Sequence, residues 1–154
     1  MATKRDNSAS IHMSHNSEIT QQSKAIADAY YQAGVRNDLP SFGGHLHPDF
    51  EVTAPNYLPW GGTHHGASFF REQVLQHLPE VLDFSRFNYA SLTAEGNHAV
   101  ALINIGVAGT KSIVKISEHW NIKDGKAVSL WVAYFEPQAL LDKLGITHAL
   151  RSGA

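Results

Sequence analysis

From about Ser85 onward the hydrophobic pattern of this chain has a period of two, and four candidate strands follow one another: Phe87 to Thr93, Ala99 to Val107, Ser112 to Ile122 and Ala127 to Phe135. The turns between them are short: Glu95-Gly96-Asn97, Gly106 to Thr110, and Lys123-Asp124-Gly125-Lys126, in which Asp-Gly is a strong hairpin signal. A parallel neighbour would need a long crossover, so consecutive strands joined this tightly predict an antiparallel meander.

Helical periodicity is confined to the segments before that meander and to a short stretch after it. Ile19, Ile26, Tyr30 and Ala33 fall at helical spacing after Ser17, and Gly34 closes the run. Asp38 before Leu39-Pro40 predicts the cap and first turn of a second, short helix that carries Phe42 and Leu46 and ends at Pro48. Asp49 to Ala54 alternates and reads as a strand stopped by Pro55. Residues 55–66 read as a loop studded with Tyr57, Leu58 and Trp60. Phe70, Val74 and Leu78 predict a third helix ending at Pro79, and Pro137 to Gly145 a last short one. Helices gathered ahead of a meander predict an α+β fold, with the helices packed on one face of the sheet.

With 154 residues the chain is the size of one domain with a sizeable core. Residues 1–16, polar and without the apolar stretch of a secretory signal, read as a tail, 17–146 as the domain and 147–154 as a second tail. A formal net charge of −2 gives no reason to expect nucleic acid or an anionic membrane surface as partner. No apolar run approaches the ~20 residues that span a bilayer, so a soluble, cytoplasmic protein is expected. The absence of cysteine removes disulfides, thiolate metal ligands and thiol nucleophiles.

One residue breaks the pattern of the third strand. In Lys115-Ile116-Ser117-Glu118-His119-Trp120-Asn121-Ile122, Glu118 shares a register with Ile116, Trp120 and Ile122, which is the apolar row. A carboxyl there either finds a structural partner or keeps its proton and becomes a hydrogen-bond or proton donor near neutral pH. His119 and Asn121 lie in the opposite, polar register, facing a neighbouring strand or a partner subunit.

The order of elements, with Trp60-Gly61-Gly62-Thr63-His64-His65-Gly66 before a helix, Glu118-His119-Trp120, the Asp124-Gly125-Lys126 turn and the terminal Leu140-Leu141-Asp142-Lys143-Leu144-Gly145, resembles the SnoaL-like branch of the nuclear transport factor 2-like superfamily. The resemblance covers roughly residues 18–146. It implies a cone: a curved antiparallel sheet wrapped around three N-terminal helices, a deep apolar pocket, and a homodimer. It also places Tyr30 and Glu118 where ketosteroid isomerases hold the two donors of their oxyanion hole, an enzyme known for a carboxyl kept neutral by its site. Ala54 then stands where the proton-shuttling aspartate of those isomerases belongs. Glu136 stands where SnoaL-like cyclases keep an acid/base aspartate, and its other reading is an acidic residue at a helix N-terminus.

Among ten histidines only His45-Leu46-His47 and His64-His65 are close in sequence, without the helical spacing of a metal site, so no metal and no organic cofactor are expected. His64 or His65 is a candidate base at a pocket mouth. Tyr57, Trp60, Trp120, Trp131 and Tyr134 are candidate core or pocket-wall residues for a planar ligand.

The expectation is a cofactor-independent acid/base enzyme, an isomerase, cyclase, dehydratase or lyase, acting on a hydrophobic aromatic or polycyclic small molecule. Glu118 and Tyr30 are the donors, with Glu136 or a loop histidine as base. The alternative is a non-catalytic ligand-binding or dimerisation module on the same fold.

Overall fold

The computed structural model describes residues 8–146, with side chains from His15 onward. The first helix, α1 (Ser8–Val35), starts earlier than Ser17, so the segment read as a tail is helical from Ser8 on; the rest of both expected tails lies outside the described residues. Ser23, Ile26, Ala27, Tyr30, Tyr31 and Ala33 form its buried stripe. Near its end Gly34 is required for packing, because a Cβ there would stand 2.5 Å from the ring of Phe84 and 2.8 Å from that of Phe42.

Asp38 caps α2 (Leu39–Phe42) by accepting a hydrogen bond from the Ser41 backbone N–H at 3.3 Å. This helix is shorter than expected. Leu46 belongs to β1 (Leu46–Ala54), which carries Pro48 near its start and then alternates with Phe50, Val52 and Ala54 buried. The loop after Pro55 hides a strand, β2 (Gly62–His65), paired antiparallel with β1 in the register Val52 to His64. Its four residues are too few for a periodic signal.

The expected third helix is broken into pieces. A turn of α3 (Ala67–Phe69) runs into a π-helical turn over Phe70–Leu75 and then α4 (Leu78–Val81), with Pro79 in its first turn. Proline lacks the N–H that a first turn leaves unused, so it starts this helix instead of stopping one.

The meander is as expected: β3 (Leu82–Glu95), β4 (His98–Val107), β5 (Ile113–Lys123) and β6 (Lys126–Phe135), all paired antiparallel in sequence order. The sheet order is β2-β1-β6-β5-β4-β3, and β1 meets β6 in parallel, so the sheet is antiparallel everywhere except at that seam. The sheet is curved and unclosed, and register shifts in β3, between Asp83 and Asn88 and again between Tyr89 and Ser91, are bulges of the kind that bend a sheet. The last described element is α5 (Gln138–Lys143), which seats Leu140 and Leu141 in the core. Among the described residues no helix is long and apolar enough to cross a membrane.

Candidate active site

Between α1 and the concave face of the sheet lies a cavity whose wall is apolar except for one carboxyl and three phenols. The buried stripe of α1 supplies Tyr30 and Tyr31, β1 supplies Val52 and Ala54, and β5 supplies Glu118. Val132 and Tyr134 enter from β6, with Trp60 and Phe70 from the segments that cross the sheet. The free space is about 40 Å³, room for water-sized groups and well below the ~300 Å³ at which drug-sized pockets begin.

Glu118 is 8% exposed, sits opposite Ala101 and Val132 in the sheet, and is the only carboxyl lining this cavity among the described residues. Burial pushes its pKa up to about 7, against an opposing hydrogen bond from the Tyr31 hydroxyl, so both protonation states are populated near neutrality. Behind Tyr31, the indole N–H of Trp120 donates to its hydroxyl oxygen at 2.9 Å. Burial, reinforced by the Glu118 charge, holds the Tyr30 phenol well above its usual range. Tyr134 is raised by the same two causes, in the same order. Both remain protonated and able to donate. Tyr30 is held in place by its neighbours, stacked 4.7 Å from the Phe42 ring and edge-on to Trp120 at the same separation.

Tyr30, Ala54, Trp60, Glu118 and Tyr134 thus converge on one space. Trp120 is fully buried behind it and Tyr57 is half-buried beside it; neither lines the cavity. Trp131 points the other way: it lies on the outer face, 51% exposed, edge-on to His119 at 5.3 Å. Alternation decides this, because Leu130 and Val132 on either side take the inner register.

Every base candidate lies outside. His64 faces the concave side, but its ring stacks on Phe69 at 4.3 Å and hydrogen-bonds the Gly61 carbonyl oxygen at 2.8 Å. His65 is exposed, 3.3 Å from Glu51. Glu136 is exposed because β6 ends at Phe135 and the glutamate takes a left-handed conformation, φ 51°, which breaks the alternation that would have turned it inward. Tyr31 was missed, although it sits on the same helical stripe as Ala27 and Tyr30 and so carried a readable signal. Among the described residues no cluster of three or more histidine, aspartate or glutamate side chains could hold a metal ion.

Residues 27–130 match the SnoaL-like domain family. The chain belongs to that family. No curated protein matches it by sequence. Solved structures with the SnoaL-like cone are similar at low identity. TerC, co-crystallised with polyporic acid, is 22% identical with a TM-score of 0.65, covering 80% of this chain and 98% of that one. A candidate ketosteroid isomerase from Kribbella flavida DSM 17836 is 17% identical with a TM-score of 0.64, covering 76% and 80%. An NTF2-like protein from Burkholderia xenovorans LB400 is 20% identical with a TM-score of 0.63, covering 80% and 96%. At these identities the likeness shows a shared fold, and the chemistry of this SnoaL-like chain rests on its own residues.

Proposed function

We propose that this SnoaL-like protein is a cofactor-independent acid/base enzyme in which Glu118 both takes and returns the proton. The observation that carries the reading is a buried carboxyl held among phenols in an apolar wall, with no second carboxylate or imidazole among the described lining residues; burial raises its pKa to about 7. A group that titrates at the working pH can serve as base and then as acid in one turnover. The Tyr30 and Tyr134 hydroxyls are the donors that would hold a developing enolate or phenolate oxygen. The substrate class is a hydrophobic aromatic or polycyclic carbonyl or hydroxyl compound, and isomerisation, cyclisation, dehydration and retro-aldol cleavage all use these parts.

A thermal-shift screen against polyporic acid, steroids, anthraquinones and phenolic dimers tests the reading, since a ligand of the folded state raises the melting temperature. A hit that Glu118→Gln still binds but no longer converts supports it. Turnover left intact by Glu118→Gln removes Glu118 from the mechanism.

The second reading, a binding or dimerisation module, is favoured by the small free volume and by Ala54 at the usual base position. In that case the outer sheet face, where Trp131 and Phe135 are 51% and 65% exposed, docks a second copy. A ligand that binds and is never consumed, with a dimer mass by light scattering, favours this reading.

A further inference from the structure

A second hollow of about 310 Å³ opens on the surface between the end of α1, the start of β3 and the β4–β5 turn. Its walls include Asn37, Pro79, Ser85 and Gly109. Two of its residues, Leu82 and Phe84, also line the inner cavity with Glu118, so the partition between the two spaces is one side chain thick. Phe84 is packed on the backbone of Gly34, filling the space a β-carbon there would need, and meets Phe42 edge-on at 5.4 Å, so its ring is what closes the partition.

We infer that the outer hollow and the inner cavity are two halves of one ligand site, and that Phe84 with Leu82 is the gate between them. This rests on the acid/base reading of Glu118 and adds to it a route and a ligand shape. The inner half is too small for a ring system, and the outer half has the volume but none of the phenols or the raised carboxyl. A ligand that uses both puts only a carbonyl or hydroxyl oxygen into the inner half, carried on a flat ring that lies across Phe84 and fills the outer half beside Asn37 and Ser85. A swing of the Phe84 ring is the smallest motion that joins the two spaces, since the backbone of β3 need not move.

Stopped-flow fluorescence with 2-naphthol, a planar phenol, tests the gate. Phe84→Ala should raise the association rate about tenfold and Phe84→Trp should slow it, while Lys123→Ala, exposed at the end of β5 and on neither space, leaves it unchanged. Phe84→Leu repeats the first experiment with less packing lost, in case the alanine variant does not fold. Binding whose rate is the same in every Phe84 variant overturns the gate and leaves the acid/base reading standing. Failure of 2-naphthol to bind either the wild type or the opened variants overturns both. Binding that is gated by Phe84 but insensitive to Glu118→Gln in affinity and pH dependence keeps the gate and removes the acid/base reading.

Discussion

The indole N–H of Trp120 donates to the hydroxyl oxygen of Tyr31 at 2.9 Å, and that same hydroxyl pulls the Glu118 pKa down against the larger upward push of burial. Burial sets the direction of the Glu118 shift, and a two-step chain that starts outside the cavity wall restrains it. Tyr31→Phe deletes the interaction that lowers the Glu118 pKa, so the carboxyl should titrate above about 7, as read by NMR of carboxyl-labelled glutamate. It also strands a buried indole N–H, costing about 1–3 kcal/mol in urea unfolding. A Glu118 titration that stays in place would break the chain.

Stability should depend on pH through Glu118. Its folded pKa of about 7 lies above the ordinary glutamate value of 4.5, so the folded state binds the proton more tightly than the unfolded chain. The group's contribution is therefore fully present below about pH 4.5 and is lost as pH rises through 7, an effect on the order of 3 kcal/mol. Melting temperature should fall across that window in the wild type and stay flatter in Glu118→Gln. Parallel profiles for the two proteins would show that Glu118 is not the group responsible.

Ala54 shares the cavity wall with Glu118. Ala54→Asp should destabilise the fold by about 3 kcal/mol or more, since a second carboxyl must be desolvated there. It should also push the Glu118 pKa further up by repulsion. Chemical denaturation at pH 8 and at pH 5 checks this, with the larger loss expected at pH 8. Equal losses would argue that the new carboxyl does not face the cavity.

Glu136 holds a left-handed backbone at φ 51° and is exposed. Glu136→Gly should stabilise the protein by about 0.5–1 kcal/mol, because glycine adopts that conformation without a β-carbon clash. Ligand affinity should not change. A drop in affinity would return Glu136 to the site.

Gly34→Ala should cost about 1–3 kcal/mol, because the new methyl carbon would stand 2.5 Å from the Phe84 ring. Thermal unfolding reads this directly. An unchanged melting temperature would mean that Phe84 yields at no cost.

What the sequence determined by itself was whatever depends on local pattern. Period-two alternation defined the meander and put Glu118 on the inner face beside Ile116 and Trp120, because register follows from the pleat. Helical spacing likewise placed Tyr30 inward on α1. Tertiary structure decided the rest, where no local signal exists. The four-residue β2 is stabilised by its pairing with β1, and the parallel contact of β1 with β6 joins segments far apart in sequence. A single left-handed residue at Glu136, the stacking of His64 on Phe69 and the outward side of β2 at His65 kept all three expected bases off the cavity. That Tyr31 comes beside Glu118 depended on how α1 packs against β5, where the same tyrosine accepts the Trp120 indole N–H. Periodicity fixes which face a side chain takes, and only packing fixes what it meets there.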